Sequence, residues 1–331
     1  MSQLVKRHLK PLEKYLRMKD ITDICINKAE EVWVDRQGGG WICYQDSNIK
    51  TRDLLMLFDV IATMRGQKFS DIHPVLSSTI PFYEYRVEVQ HPNILAGIDI
   101  GISIRTSKLK DNLTPEDFFP TGEDDKRERP PRHENQDYIL EQARQHIAKG
   151  EHAQAARFLI ANRKCILVAG GTSTGKTTCL NTLLRCVDMD RRVVSIEDAQ
   201  ELRIQQKNWL GIVKSKSGTD IAQLHYGAIV NSCLRCRPDC IIFGELDIQN
   251  TMPFLVLANS GHEGGFATVH ANSARAAIKA VVGKVKMDGS DLNPETVEEY
   301  VKTGVYAVAH LEGWIGRDGR KKKMGVLELL Q

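Results

Sequence analysis

Apolar and polar residues follow two different rhythms along this chain, and the change of rhythm divides it. From about Asp20 to Thr106 the runs are short and often alternate. Val32 and Val34, then Gly38 to Gly40 and Trp41 to Tyr44, predict a hairpin closed by a glycine turn. Leu54, Leu55, Leu57, Phe58, Ile61 and Ala62 recur at helical spacing. In the stretch Ile98 to Arg105, Ile98, Ile100, Ile102 and Ile104 share one face, and Gly101, Ser103 and Arg105 share the other. Arg105 is thereby turned away from the local core, as is Arg86, which is in phase with Glu88. The pattern predicts a small α+β domain over residues 1–106.

Residues 107–137 mix charge with proline (Asp124 to Arg132 above all), a composition that cannot pack a core, and predict a flexible linker. Tyr138 to Ile160 returns to helical spacing. Apolar runs then recur at 165–168, 193–196, 240–243 and 266–270, each ending in polar residues and separated by helical patterns. That is the signature of α/β: a mostly parallel sheet with helices on its faces, over residues 138–331.

Ligand groups in such sheets gather beyond the carboxyl ends of the strands. After Ile166–Val168 the chain reads Gly170, Gly171, Thr172, Ser173, Thr174, Gly175, Lys176, Thr177, Thr178, which fits G-x-x-x-x-G-K-[ST]. Leu180, Leu183, Leu184 and Val187 then mark an amphipathic helix. Strand, glycine loop and helix in that order predict an ATP-binding phosphate loop. The glycines let backbone N–H groups curl round a polyphosphate, and the helix start adds its positive dipole end. Lys176 brings a full charge to the β- and γ-phosphates, and the Thr177 hydroxyl is placed to ligate Mg²⁺.

Three other strand ends carry ionisable groups: Glu197 and Asp198, Glu245, and His270. Acids beside a phosphate loop organise metal or the attacking water. Glu197 and Glu245 are both candidates for activating water or holding Mg²⁺ through water. His270, in a glycine-rich segment, is a candidate γ-phosphate sensor.

The 331 residues are 42% hydrophobic and 26% charged, with no apolar run approaching a membrane span and a polar amino-terminal stretch unlike a signal peptide. A cytoplasmic protein is expected. A formal charge of +3 does not argue for sequence-specific nucleic-acid binding. Two basic stretches, Lys6 to Lys19 and Arg320 to Lys323, read first as solvated faces, with peripheral contact to anionic lipid or an acidic partner as the alternative. Cys233, Cys236 and Cys240 lack a fourth ligand at finger-like spacing and read as packing cysteines. No N-K-x-D guanine reader follows the loop.

GGTSTGKTT (170–178), SIEDAQEL (195–202), LRCRPDCIIFGE (234–245) and GHEGGFATVHAN (261–272) together resemble, in order, the Walker A, Asp box, Arg-rich plus Walker B and His box of the secretion ATPases. The SIED form and the RPD before the Walker B strand look most like the traffic ATPases of type IV secretion and conjugation. More loosely, HPVLSS (73–78), YRVEV (85–89) and ISIRT (102–106) resemble that family's nucleotide-covering domain. The resemblance implies a RecA-like carboxyl-terminal domain and a homo-hexameric ring on inner-membrane channel subunits, peripheral on the inner face of the cytoplasmic membrane. It further implies ATP·Mg²⁺ clamped between the two domains of a chain, completed by a neighbour, with Arg86 and Arg105 on the phosphates and a hinge in the linker. Arg235 and Arg237 match the Arg-rich box. A pilus retraction or assembly motor of the same superfamily, or a nucleotide-binding scaffold with little turnover, are the alternatives. Two departures stand out. The family commonly has GELR with an acid three residues on, where this chain has Asp247 and Asn250. Ser173-Thr174 replaces the usual Gly-Ser inside the loop. The first departure removes any salt bridge made by that arginine and is expected to slow turnover.

Overall fold

The computed structural model describes residues 2–36, 40–106, 132–215, 220–222, 224–261, 264–315 and 321–330. In the amino-terminal part, strands β1 (Ile21–Lys28), β2 (Glu31–Arg36), β3 (Gly40–Gln45), β4 (Val75–Ile80), β5 (Tyr85–Gln90) and β6 (Gly101–Arg105) form an antiparallel sheet in the order β3-β2-β1-β6-β5-β4. Helices α1 (Ser2–Leu16) and α2 (Thr51–Met64) cover one face. The alternation read from sequence is realised: Ile24, Ile26, Val87, Val89, Ile102 and Ile104 are buried in the same core as Leu9, Leu12, Phe58 and Ile61. The register puts the polar partners in rows on the opposite face. Arg86 lies across from Arg105, which lies across from Asp23; Glu88 lies across from Ser103, which lies across from Cys25.

α1 was not expected from the sequence. Val5, Leu9, Leu12 and Leu16 do carry helical spacing, but Pro11 inside the helix and the dense positive charge mask it. Of the expected linker, residues 107–131 lie outside the described residues. Helix α3 (Arg132–Ala148) already includes residues 132–137, so the linker expectation runs too far at that end. Its first turns carry no apolar marker, which is why the pattern did not reveal them. The helical stretch expected up to Ile160 is two helices, α3 and α4 (His152–Ala161), because Gly150 turns the chain at φ +76°.

The carboxyl-terminal part is a seven-stranded sheet of β7 (Ile166–Gly170), β8 (Val193–Glu197), β9 (Trp209–Val213), β10 (Cys240–Phe243), β11 (Gly265–His270), β12 (Ala307–Ile315) and β13 (Lys321–Leu329). The order is β13-β12-β7-β11-β10-β8-β9, parallel throughout except for β13. Side chains of α3, α4 and α5 (Lys176–Leu184) pack on one face, among them Ala143, Leu159 and Leu180 with Val168 and Ile242. On the other face α6 (Tyr226–Arg235), α7 (Ile248–Ala258), α8 (Ala274–Met287) and α9 (Pro294–Gly304) bring Ile229, Phe254, Ala277 and Val297 against Leu167 and Val194. Among the described residues no helix is long and apolar enough to cross a membrane.

A polar seam joins the two sheets. The Arg192 side chain is fully buried; it donates to the Cys236 carbonyl (2.7 Å), Asn27 Oδ1 (3.1 Å), Ser103 Oγ (3.2 Å) and Asn208 Oδ1. Arg237 donates to Asp35 (3.0 Å) and Asp239 (2.7 Å), and Trp41 Nε1 donates to Asp239 at 3.2 Å. Gln90 Nε2 donates to Ser232 Oγ at 2.7 Å. Arg192 and Arg237 both lie 5.9 Å from the Trp41 ring centre. The polar face of the first sheet is thus occupied, in part, by the end of α6 and the residues that follow it.

Candidate active site

The loop between β7 and α5 turns where its sequence requires. Gly175 stands at φ +98° just before the helix, a backbone open to glycine at little cost. Ser173 stands at φ +60°, a left-handed position for a residue with a Cβ. It occupies the place where glycine is usual in the family the sequence resembles. The Gly171 carbonyl accepts from Thr174 Oγ1 at 2.9 Å and from Lys176 Nζ at 3.0 Å, which draws the loop closed.

Parallel strand register brings the other groups to this loop. β8, β10 and β11 end side by side, so Glu197, Glu245 and His270 reach the same edge as Gly170. A cavity of about 320 Å³ is lined by Ser173, Gly175, Lys176, Thr177 and Thr178 from the loop and helix. Glu197, Asp198, Glu245 and His270 line it from the strand ends. Gly171, Thr172 and Thr174 belong to the loop but do not line the cavity. Sequence reasoning missed Glu201 and Thr268 as lining residues. Glu201 sits in the quoted SIEDAQEL segment and Thr268 in GHEGGFATVHAN, so their motifs were the available signal.

The hydrogen bonds assign protons. Lys176 is buried, and its Nζ lies 3.2 Å from His270 Nδ1. An ammonium only donates, so Nδ1 accepts and the proton of a neutral ring sits on Nε2. That Nε2 lies 3.0 Å from Glu245 Oε1, to which it donates. Burial lowers the Lys176 pKa, against the opposing pull of Glu245. Glu197 is buried too. Its Oε2 accepts from the Glu201 and Leu202 N–H groups, each at 2.8 Å, while its Oε1 has no partner. Burial is the largest influence and pushes the Glu197 carboxyl up. Those two N–H bonds work against it, and the charges of Glu201 and Asp198 add to it. The unpartnered buried oxygen of Glu197 and the hydroxyl of Thr177 line the same cavity, and both are hard oxygen donors of the kind Mg²⁺ takes.

Arg86 and Arg105, expected on the phosphates, do not line this cavity in the single chain. They line a second cavity, of about 520 Å³, with Ser77, Thr79, Glu88, Ser103 and Arg235, and share no lining residue with the first. The seam holds this polar sheet face against the end of α6, and the cavity lies beside that contact. Arg105 Nε donates to Asp23 at 3.1 Å, and Arg235 lies 3.7 Å from Glu88. Arg235 and Arg237, from the Arg-rich segment, pair with carboxylates of the first sheet. His262 and Arg320 lie outside the described residues. Cys233, Cys236 and Cys240 are buried, and burial pushes the Cys236 and Cys240 thiols up to about 12.

Comparison with known proteins bears on this geometry. A family profile described as Type II/IV secretion system protein matches residues 133–285. The chain is 30% identical over 310 residues to the type IV secretion system protein VirB11 of Bartonella quintana, covering 89% of this chain and 85% of that protein. It is 25% identical over 341 residues to VirB11 of Agrobacterium tumefaciens, covering 97% and 96%. The crystal structure of the VirB11 ATPase from the Brucella suis type IV secretion system, in complex with sulphate, superposes with a TM-score of 0.83 at 25% identity, covering 99% of this chain and 94% of that one. The profile match spans the four ordered segments around the loop, and the two-sheet RecA-like architecture agrees with the Brucella suis structure. The chain belongs to the VirB11 family of type IV secretion ATPases.

Proposed function

We propose that this protein hydrolyses ATP at the loop cavity, as one protomer of a hexameric ring that drives a type IV secretion or conjugation channel from the inner face of the cytoplasmic membrane. The observation that carries the reading is the convergence of Lys176, Glu197, Glu245 and His270 on one cavity, with a buried Glu197 oxygen left unpartnered. Loop N–H groups and Lys176 hold the β- and γ-phosphates. Thr177, with Glu197 or Glu245 through water, would hold Mg²⁺, which supplies charge neutralisation of the phosphate oxygens. A water oxygen attacks the γ-phosphorus and the bond to the β–γ bridging oxygen breaks. The water's proton passes to Glu197, whose pKa is raised by burial and whose Oε1 has no partner. Glu245, held by His270, orients the water, and His270 meets the γ-phosphate when Lys176 turns to it.

The guanidinium groups that such a transfer needs come, in this reading, from a neighbour. Arg86 and Arg105 lie in the second cavity of their own chain, so a ring that stacks this face on the next protomer's loop would supply them in trans. The test mixes two variants. Lys176→Ala and Arg105→Ala are each expected to lose nearly all turnover as pure rings. Mixed rings contain interfaces with both residues intact and are expected to recover measurable phosphate release. Mixtures as inactive as the parents would mean that the two residues do not act across one interface.

A further inference from the structure

The segment that carries Glu245 is braced on both sides, and one of the braces is made by the two positions where this chain departs from its relatives. Gly244 N–H donates to the Ile196 carbonyl at 2.9 Å, and the Gly244 carbonyl accepts from Thr268 Oγ1 at 2.8 Å. Leu246 N–H donates to the Thr268 carbonyl at 2.8 Å. The Glu245 carbonyl accepts from Asn250 Nδ2 at 2.9 Å. Three successive peptides are thus pinned, and the last of these bonds comes from a side chain that is 3% exposed.

Asn250 is itself fixed by Asp247. Asp247 is the N-cap of α7: its Oδ1 accepts from Gln249 N–H at 2.9 Å and Asn250 N–H at 3.0 Å. Asn250 Oδ1 accepts in return from Asp247 N–H at 2.8 Å. This reciprocal capping box satisfies orphan donors at the helix start and puts a negative charge at the positive end of the helix dipole. Thr251 Oγ1 adds a bond to the Asp247 carbonyl. An arginine at 247 has no acceptor and would face the helix dipole with the wrong sign. The pair therefore holds the segment by a helix cap. Asparagine at 250 suits it because a single amide both accepts from Asp247 and donates to Glu245.

We propose that Asn250, held by Asp247, is a positioning residue for Glu245: the cap of α7 sets the Glu245 peptide and, through it, the direction of the carboxylate toward His270. This rests on the reading of Glu245 as the group that orients water. Neither residue lines the loop cavity, so nucleotide binding should not depend on them.

The test measures turnover and nucleotide affinity on the full-length chain. Asn250→Ala is expected to lower kcat roughly tenfold or more, as small misplacements of reacting groups do, with KM and ATP affinity unchanged within about twofold. Asn250→Asp keeps the shape and the acceptor for Asp247 but loses the donor to Glu245, so it should show the same kcat loss with ATP affinity retained, while its buried carboxylate lowers the melting temperature. Asp247→Ala should slow turnover, and Asp247→Asn, an equally good cap without the charge, should restore most of what was lost. Full turnover in Asn250→Asp overturns the proposal. So does Asp247→Asn as slow as Asp247→Ala, since charge and not capping would then matter. A fall in ATP affinity in Asn250→Asp alongside the fall in turnover would reduce the pair to a merely structural role and also overturn it. Glu245→Gln separates the two layers: full turnover there removes the role of Glu245 itself, whereas an inactive Glu245→Gln beside a fully active Asn250→Asp removes only this inference.

Discussion

The two cavities of this molecule are opposites. One is built at the carboxyl edge of a parallel sheet, where a lysine, four acids and a histidine surround a glycine loop. The other lies on the polar face of an antiparallel sheet, where three arginines and several hydroxyls stand round one buried glutamate. In the proposed function the first would hold a triphosphate and activate water; the second gathers the guanidinium groups of Arg86, Arg105 and Arg235, the last two paired with Asp23 and Glu88. Phosphoryl transfer asks for both. Each cavity lacks what the other has, and the contrast is the physical argument for completing the site across an interface rather than within a chain. The seam at Arg192 keeps the contrast in place, because it holds the arginine face against α6.

The sharpest way to break the comparison is therefore to break the seam. Arg192→Met removes a buried cation and leaves Asn27, Asn208, Ser103 and the Cys236 carbonyl short of a donor. Unmade bonds to buried groups cost about 1–3 kcal/mol each, partly relieved by water, so a loss of about 3 kcal/mol is expected. Denaturant unfolding followed at Trp41, which lies in the seam, reads it directly. If Arg192→Met is neutral, the two halves are not held by this network, and the placement of the arginine cavity loses its cause.

A smaller effect distinguishes the acids. Glu197 has its pKa raised above the ordinary 4.5 in the folded chain. For a raised carboxyl, the folded state prefers the protonated form. Stability is greatest below the ordinary value and falls as pH rises through the folded value. Glu197→Gln mimics the protonated form. It is expected to melt higher than the parent at neutral pH, with the difference shrinking as pH falls toward 4.5. Its turnover should drop on the order of a hundredfold, as loss of a general base does. A melting difference independent of pH would show that the buried carboxylate is not strained by its setting.

How much of this could be read beforehand differs between the cavities for a physical reason. The loop cavity is assembled from strand ends, and in a parallel sheet every strand end arrives at one edge, so local patterns at 170–178, 197, 245 and 270 suffice. The face carrying Arg86 and Arg105 was also legible, since alternation is local. What that face meets was not. It depends on contacts such as Asn27 with Asn208 and Trp41 with Asp239, far apart in sequence and made by residues with no periodic signature. The edge strands β9 and β13, and β12 next to β13, escaped for a related reason: their runs include Trp209, His310 and a lysine cluster, which blur the apolar count. The Asp247 and Asn250 departure looked like a lost salt bridge because a cap is visible only once the helix start is known.

The smallest expected effect tests strain, and both regions supply it. Ser173 in the loop and Arg237 in the seam each hold a left-handed backbone, at φ +60° and +56°. At Arg237 the side chain repays the strain with bonds to Asp35 and Asp239. At Ser173 glycine is what relatives of this loop commonly carry, so Ser173→Gly should relieve about 1–2 kcal/mol of backbone strain. Part of that is offset by about 0.4–1 kcal/mol of added freedom in the unfolded chain. The net expectation is a modest stabilisation, of about 0.5–1 kcal/mol, seen as a higher denaturant midpoint for the half that carries the loop. ATP affinity should hold or improve slightly, because the loop already has the shape that glycine allows. A destabilised Ser173→Gly would mean that the serine hydroxyl supports the loop by more than its backbone costs, and the two strained positions would then be alike instead of opposite.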